Sequence, residues 1–400
     1  MALLQFNDLE FKEEEERVRV RFYRIYEFFL EKAGLSRIGE FKIEKNSIEF
    51  LDLSEDRADR KFNSLLAQGF LDLTNTITRK HTTYVHKFSG IPLMGNGSFG
   101  IIDRGTNILE IKPSTGCNLD CIFCSVDPTK RTSDFVVEKT YLVEETAKLI
   151  GFKRKDHDVP ITIQLGTSGE SLIYEPLEDL IRELRLVPGV KNIGLSTNAT
   201  LLTERKADSL IAAGANQIFI SLNAVDQEVA EKIAGVSYNV KRIKDLCRHI
   251  AKKKIDLVLT PVWVPGFNDD QIEKIIAFAK EIHARLGLQN FLNYKFGKNP
   301  AKQIEFEEFY KRLNELEKKH DTKLVYDWSF IEKTKELPKP FRKDEMIRAR
   351  IMSRGTLPDE MIAVAKDRSI SVMHCKKDTG KEAKIKIVRI KHNIFVGVEN

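Results

Sequence analysis

Three cysteines within eight residues constrain this chain more than any other feature. Cys117, Cys121 and Cys124 stand in a C-x3-C-x2-C spacing, shortly after the apolar run Ile108–Ile111. Three thiolates on one loop can converge on one inorganic centre, because thiolates are ligands of both zinc and iron–sulfur clusters. A structural zinc site is nearly always closed by four ligands, and no fourth Cys or His lies at a plausible local spacing. The spacing therefore favours a cubane cluster with one open iron, and zinc is the weaker alternative.

Composition limits the cellular setting of such a centre. The chain has 400 residues, 42% of them hydrophobic, which is enough for a large core and two or three domains. The mean hydropathy is -0.31, no apolar run approaches 18 residues, and the start lacks a signal-peptide pattern. Five cysteines, three of them clustered, do not make a disulfide framework. We expect a cytoplasmic protein that has no membrane partner.

The middle of the chain alternates short apolar runs with helical patterns between residues 107 and 294. This alternation predicts βα units around a parallel sheet. The predicted strands are 108–111, 161–165, 192–196, 217–222, 256–262 and 290–295. The predicted helices are 143–150, 176–186, 203–213, 240–253, 270–286 and 305–319. Six such units fit an α/β fold with a partial (β/α)6 barrel of the TIM type.

The cysteine loop resembles that of the radical S-adenosylmethionine (SAM) superfamily, with Phe123 directly before the third cysteine and a strand before the loop. The resemblance implies that the cysteines hold a [4Fe-4S] cluster and that the methionine end of SAM binds the fourth iron. It implies cleavage of SAM to a 5′-deoxyadenosyl radical that abstracts hydrogen from a substrate. It also implies an electron donor such as a ferredoxin or flavodoxin, and a contact between Phe123 and the cofactors.

Polar residues follow the predicted strands, where ligands bind in parallel βα folds. After the second strand, residues 166–171 are similar to the superfamily's GGEP motif, with Ser168 and Ser171 replacing Gly and Pro. The resemblance assigns Gly169 and Glu170 to the ammonium group of SAM. It assigns further cofactor contacts to the later strand ends, at Ser196, Asn198, Ser221, Asn223 and Val264. The alternative for Asn198 is support of its turn or a helix cap.

The flanking regions carry no catalytic motif. Residues 1–90 form a predicted α/β accessory region, with helices at 13–32 and 55–68 and a β segment at 41–53. The predicted core spans 91–325, a Lys-, Glu- and Pro-rich linker spans 326–343, and a small barrel spans 344–400. The barrel strands are predicted at 361–365, 370–374, 383–390 and 394–398.

The C-terminal region carries the basic charge of the chain. Residues 342–400 contain 14 basic and 8 acidic residues, an excess equal to the net charge of +6. The region resembles a TRAM domain, an OB-like RNA-binding barrel, and the whole chain resembles uncharacterised archaeal radical SAM proteins with such a tail. Basic residues on its surface are predicted to contact RNA phosphates: Lys376, Lys377, Lys384, Lys386, Arg389 and Lys391. The alternative is a lysine-rich edge that prevents strand aggregation.

Three functions fit these patterns. The first is a radical SAM enzyme that modifies RNA, most simply tRNA. The second is the same chemistry on a small molecule, lipid or protein, and the third is a non-catalytic metal protein that binds nucleic acid. Residues 1–116 contain no cysteine, which argues against the auxiliary cluster of radical methylthiotransferases. Cys247 and Cys375 are predicted to be packed thiols.

Overall fold

The N-terminal region is built mainly from antiparallel strands. The computed structural model describes residues 1–155, 158–166, 168–327 and 329–400, so residue 328 of the predicted linker lies outside it. The first strands are β1 (Ala2–Gln5), β2 (Leu9–Glu13), β3 (Arg17–Phe22), β4 (Tyr26–Glu31), β5 (Phe41–Ile43), β6 (Ser47–Phe50), β7 (Thr74–Asn75) and β8 (His81–Val85). Two helices accompany them, α1 (Lys32–Ser36) and α2 (Glu55–Gly69), and a 3-10 turn follows at Phe70–Asp72.

The predicted helix at 13–32 is wrong, because these residues form most of a β-hairpin. Val18, Val20 and Phe22 are buried in β3 and alternate with more exposed arginines, which is the period of a strand. The hairpin turns through residues 23–25, because Phe22 pairs with Tyr26, and Tyr23 and Arg24 have φ values of 47° and 58°. The same apolar residues also fit a helical spacing, and their β-branched and aromatic character favours the strand.

The N-terminal sheet is continuous with the core. Strands β2, β3, β4, β7 and β8 join β11 (Ser133–Val137) in a six-stranded sheet of order β11-β8-β7-β4-β3-β2, while β1, β6 and β5 form a separate sheet. β8 pairs with β11 in parallel over five residues. β11 follows the cysteine loop directly, so the N-terminal region supports the segment behind that loop.

The core is a seven-stranded sheet of order β17-β15-β14-β13-β12-β10-β9. Its strands are β9 (Gly100–Asp103), β10 (Ile108–Lys112), β12 (Ile161–Leu165), β13 (Val190–Thr197), β14 (Gln217–Ile220), β15 (Asp256–Leu259) and β17 (Arg285–Leu286). β9 pairs antiparallel with β10, and the other six strands are parallel. The predicted α/β partial barrel is therefore confirmed.

Helices alternate with these strands. They are α3 (Lys139–Arg154), α4 (Leu177–Arg185), α5 (Glu204–Ala213), α6 (Gln227–Ala234), α7 (Val240–Ala251), α8 (Asp269–Glu281) and α9 (Phe306–His320). Thr203 caps α5 by accepting a hydrogen bond from the Lys206 N–H at 3.1 Å. The sequence analysis did not predict α6. No helix in the described ranges is long and apolar enough to cross a bilayer.

The predicted sixth strand at 290–295 is wrong. The sheet takes β17 instead, which the sequence pattern assigned to the end of the preceding helix. That helix ends early, and His283 follows it with a φ of 56°. Asn290 belongs to β18 (Gln289–Asn290), which pairs with β16 (Val262–Trp263). Strands of two residues are too short to give a periodic signal.

The predicted strand at 256–262 divides into β15 and β16. Pro261 lies in the gap. Proline has no N–H to donate to a sheet ladder, which explains the break.

The C-terminal region forms a closed five-stranded barrel of order β19-β20-β21-β23-β22. Its strands are β19 (Met346–Arg354), β20 (Glu360–Ala365), β21 (Arg368–Met373), β22 (Glu382–Arg389) and β23 (Val396–Glu399), with a 3-10 turn at Lys391–Asn393. Ile351, Ile370, Ile385 and Phe395 are fully buried inside it. The predicted strands omitted β19, in which exposed arginines alternate with the apolar positions.

A glycine-rich loop, residues 91–98, joins this barrel to the core. The Asn96 side chain donates to Ser371 Oγ at 3.0 Å, and the Phe395 N–H donates to the Gly95 carbonyl at 2.8 Å. The Ser369 N–H donates to the Met94 carbonyl at 2.9 Å. The barrel is therefore packed onto the loop that precedes β9.

Candidate cofactor and substrate cavity

The carboxyl ends of the parallel strands surround a cavity of about 490 Å³. The three cysteines line it together with seven residues predicted to contact the cofactors: Phe123, Gly169, Glu170, Ser196, Asn198, Ser221 and Asn223. These residues come from four separate segments of the chain. The fold thus brings the strand-end residues to one place, while their roles in cofactor binding stay predictions.

The cysteine loop is fixed by backbone hydrogen bonds from both sides. The Asp120 and Ile122 N–H groups donate to the carbonyls of the last residues of α6, Ala234 and Ile233, each at 3.0 Å. On the other side, the Lys298 N–H donates to the Cys124 carbonyl at 2.9 Å. The loop can hold three thiols toward the cavity because its backbone is anchored elsewhere.

Burial sets the protonation of the cysteine side chains. It raises the pKa of Cys117 to about 11 and also raises the pKa of Cys121 and Cys124. The Leu119 N–H donates to Cys117 Sγ at 3.5 Å, which favours the thiolate. Metal ligation requires thiolates, so these buried thiols must release protons when a centre binds. In the described ranges, no group of three or more His, Cys, Asp or Glu side chains has the arrangement to hold a single metal ion.

The segment around Gly169 lies against the start of the cysteine loop. A Cβ atom at Gly169 would lie 2.0 Å from the Gly116 carbonyl oxygen, so only glycine fits this approach. The Glu170 N–H donates to the same carbonyl at 2.8 Å. Thr167, within the motif-like segment 166–171, lies outside the described residues.

Glu170 is buried and accepts three hydrogen bonds. Its carboxylate receives the Thr197 hydroxyl at 2.6 Å, the Asn198 N–H at 2.8 Å and the Leu172 N–H at 3.0 Å. Burial raises the pKa of Glu170, and these hydrogen bonds oppose the shift. The carboxylate links the loop after β12 to the end of β13, and it also lines the cavity.

The polar end of β13 also makes hydrogen bonds with neutral side chains. Asn198 donates through its side-chain amide to Asn118 Oδ1 at 3.1 Å and accepts from the Thr200 N–H at 2.9 Å. Ser196 Oγ accepts from the Gln164 side chain at 2.9 Å. Asn198 therefore supports its turn, as the alternative expectation held, and connects it to the cysteine loop.

The ends of β14 and β16 are connected through asparagines. The Asn223 side chain accepts from the Val262 N–H at 2.9 Å, and the buried Asn268 side chain donates to the Asn223 and Val262 carbonyls, each at 2.9 Å. Ser221 also lines the cavity. Val264 is fully buried and its N–H donates to Asn268 Oδ1 at 2.8 Å. Among the described residues, Val264 does not belong to the cavity wall, and its contact with SAM stays a prediction.

Several cavity residues escaped the sequence analysis, among them Lys112, Gln164 and Arg131. Lys112 directly follows the predicted strand 108–111, and Gln164 lies one residue before the end of β12, so inspecting every polar residue at these strand ends would have found them. No local signal marks Arg131. It is buried, and its guanidinium donates to the carbonyls of Thr115 and Ser168, thereby tying the cysteine loop to the Gly169 segment.

The predicted phosphate-binding residues lie on the barrel surface. Lys384 and Lys386 alternate with buried isoleucines in β22, and Arg348 of β19 lies directly opposite Lys384. Lys386 forms an ion pair with Asp344 at 3.0 Å. Lys376 and Lys377 lie in the connection before β22. The Lys376 N–H donates to Glu399 at 2.6 Å.

Arg389 and Lys391 lie near the junction between the barrel and the core. Burial lowers the pKa of His392, and the positive charges of Arg104, Lys391, Arg389 and Lys339 lower it further. Arg104 forms an ion pair with Glu110, which lines the cavity. We call Arg104, Lys339, Arg389 and Lys391 the junction cluster. Arg389 and Lys391 belong to the barrel region, and Arg104 contacts the cavity residue Glu110.

Several known proteins are similar to this chain. The model of the family "Radical SAM superfamily" matches residues 111–279. An uncharacterized protein of Methanocaldococcus jannaschii is 33% identical over 360 residues, which are 81% of this chain and 82% of that protein. The GTP 3′,8-cyclase of Aquifex aeolicus is 28% identical over 199 residues, or 48% of this chain and 58% of the cyclase. The structure of Streptococcus suis SuiB bound to S-adenosylmethionine aligns with a TM-score of 0.43 and 13% identity, covering 81% of this chain and 72% of that chain.

The chain belongs to the radical SAM superfamily and is an enzyme of that class. Its cofactors are a [4Fe-4S] cluster and S-adenosylmethionine. The cavity fits both, because three thiols face a space that also contains a carboxylate, hydroxyls and amides. Cys117, Cys121 and Cys124 would hold the cluster, and Glu170 with the ends of β13 and β14 would hold the polar groups of SAM.

Proposed function

We propose that this protein is a radical SAM enzyme that modifies RNA, most simply tRNA. When bound, the two cofactors together supply a radical that abstracts hydrogen from the substrate. The protein's own residues bind and orient the reactants and exclude water. The proposal that the substrate is RNA rests on one observation. A basic barrel is packed onto the loop beside the cavity.

The charge of the barrel surface supports this proposal. Arg348 and Lys384 are exposed neighbours on adjacent strands, and the junction cluster lies between barrel and core. Arg104 and Lys339 have acidic partners in Glu110 and Glu336. Such positive groups bind phosphates by releasing counterions, with little dependence on base sequence. The barrel would therefore position RNA, while the cavity selects the nucleotide that reacts.

The proposal is tested by comparing tRNA nucleosides from a deletion strain and its parent by mass spectrometry. We expect one modified nucleoside to disappear or one precursor to accumulate in the deletion strain. Expression of the native gene should restore it, while a Cys117→Ala copy should not. Identical nucleoside profiles, together with no binding of tRNA by the purified protein, would contradict the proposal that the substrate is RNA.

A second candidate substrate is a free purine nucleotide. The curated relative from Aquifex aeolicus is named GTP 3′,8-cyclase, and the match covers just over half of its length. Anaerobic incubation of the reduced protein with SAM and GTP would test this candidate. If new nucleotide products form without RNA, a free purine nucleotide would be a better-supported substrate than RNA.

Electron delivery is a further part of the proposal. A small carrier such as a ferredoxin or flavodoxin would supply the electron near the cysteine loop. The segment of Tyr294, Lys295, Phe296 and Lys298 lies beside that loop, because the Asp127 N–H donates to the Phe296 carbonyl at 3.0 Å. A purified carrier that supports SAM cleavage in place of a chemical reductant would meet this expectation.

A further inference from the structure

Lys112 is a basic residue of the cavity wall. It is the last residue of β10, five positions before the first cysteine, and it lines the cavity. Its Nζ donates to the Gly97 carbonyl at 2.9 Å. An ammonium has three donors, so this single bond leaves capacity for a ligand.

The charges near Lys112 do not neutralise it. Within the described ranges, no carboxylate lies within ion-pair distance of its ammonium group. Glu110, two residues earlier on the strand, is engaged by Arg104. The guanidinium of Arg131 is engaged by two backbone carbonyls and lies 3.7 Å from Asp134. Lys112 is therefore the cavity cation that is most available to a bound anion.

Burial disfavours the charged form of this side chain. It lowers the pKa of Lys112, and the attraction of Glu110 opposes the shift. A partly desolvated cation gains more from an anionic partner than an exposed one does. An anionic ligand group would therefore be bound strongly at this position.

The place of Lys112 in the fold indicates where that anion comes from. Its acceptor Gly97 belongs to the loop 91–98, in which Asn96 and Gly95 bind the barrel residues Ser371 and Phe395. On the cavity side, Ser168 Oγ donates to the Ser98 carbonyl at 3.1 Å. Lys112 thus lies where the cavity, the loop and the barrel meet. A polymer held on the barrel would enter the cavity past this point.

We propose that Lys112 binds a phosphate oxygen of the substrate, adjacent to the nucleotide that enters the cavity. This proposal rests on the proposed RNA function for the source of the phosphate. A free nucleotide would present the same chemistry. The ammonium provides a charge-assisted hydrogen bond, and the bond to Gly97 directs the side chain toward the loop.

The test compares full-length Lys112→Gln with a control, Lys148→Gln. Lys148 lies on α3, is largely exposed and forms an ion pair with Glu145. Cluster content and thermal unfolding are measured first, to show that both variants fold. Equilibrium binding of tRNA is then measured over a series of salt concentrations, and binding of SAM and of guanosine 5′-monophosphate is measured beside it.

We expect Lys112→Gln to weaken tRNA binding about ten-fold and to reduce the logarithmic salt slope by roughly 0.7–0.9. Lys148→Gln should match the native protein, and Lys112→Arg should recover part of the affinity. Unchanged tRNA affinity in Lys112→Gln would overturn the phosphate site while leaving the RNA function standing. A loss of SAM affinity alone would overturn it too, because Lys112 would then serve the cofactor.

If the protein does not act on RNA, the same measurements give a different result. The native protein would then not bind tRNA, and guanosine 5′-monophosphate becomes the deciding probe. Weaker nucleotide binding by Lys112→Gln than by the control would retain the phosphate site for a small substrate. Equal binding by both variants, or none by the native protein, would reject it.

Discussion

The carboxylate of Glu170 and the backbone N–H of Asn198 are 2.8 Å apart and join two neighbouring strand ends. The Thr197 hydroxyl strengthens this link with a second hydrogen bond at 2.6 Å. Glu170 therefore holds the rim of the cavity in shape in addition to facing it. Two residues predicted separately as cofactor contacts are thus parts of one hydrogen-bonded unit.

This double role distinguishes two substitutions of Glu170. Glu170→Ala leaves the half-buried Asn198 N–H and the buried Leu172 N–H without an acceptor, at about 1–3 kcal/mol for the buried group, so it should lower both stability and SAM affinity. Glu170→Gln keeps one acceptor oxygen, so it should retain more stability while still weakening SAM binding through loss of charge. Chemical unfolding and equilibrium dialysis with SAM measure the two effects.

Glu183→Gln, which removes a partly exposed partner of Lys139, is the matched control. It should leave SAM affinity unchanged. Native-like SAM affinity in both Glu170 variants would remove Glu170 from the cofactor site and leave only its structural role.

The core and its strand ends could be predicted because each carried a local signal. The strand 108–111 has its apolar run, and Glu170 follows a strand in a motif-like segment. The hairpin of β3 and β4 was missed because Val18, Phe22 and Tyr26 fit both periods, and the pairing with β2 and β7 that stabilises the strands leaves no local signal. Arg131 was missed for another reason. Its partners, the carbonyls of Thr115 and Ser168, come together only in the folded chain.

The five cysteines should differ in whether the cluster requires them. Anaerobic reconstitution should load about one [4Fe-4S] cluster, and replacing Cys117, Cys121 or Cys124 with Ala should abolish it. Cys247→Ala and Cys375→Ala should keep it, because Cys247 is buried in α7 and Cys375 lies at the barrel. Iron and sulfide analysis with absorption spectra measures the loading. Stoichiometric zinc without iron in the native protein would contradict this expectation.

The paired surface of β19 and β22 should contribute to RNA affinity. Arg348→Gln and Lys384→Gln remove neighbouring charges without touching the barrel interior. Each should lower tRNA affinity at low salt and reduce the logarithmic salt slope by roughly 0.7–0.9. Lys311→Gln on α9, a similar exposed change outside the barrel, is the control. Salt slopes equal to that of the native protein would indicate that this strand face is a solvated edge.

His392 offers a direct probe of the junction cluster. Burial and four positive groups lower its pKa in the free protein. Phosphates bound at the cluster would offset those charges and raise the pKa, so binding would take up protons and RNA affinity should increase as the pH falls. Histidine NMR signals followed with and without tRNA measure the shift. His86, whose pKa is lowered by burial near Glu138, is the internal control and should not respond. A His392 midpoint that tRNA leaves unchanged would place the RNA elsewhere.

The contact between loop 91–98 and the barrel should couple RNA binding to the core. Gly95 has a φ of +115°, and a Cβ atom there would lie 2.2 Å from the Ser369 carbonyl oxygen. Gly95→Ala should therefore loosen the barrel, expose residues 329–343 to proteolysis and weaken tRNA binding, while the cluster is retained. Gly151→Ala in α3 is the control, since its Cβ would meet no atom within 4 Å and alanine favours helix. If Gly95→Ala is cleaved no faster than this control and binds tRNA as tightly, the loop does not fix the barrel in place, and the barrel must position RNA without this contact.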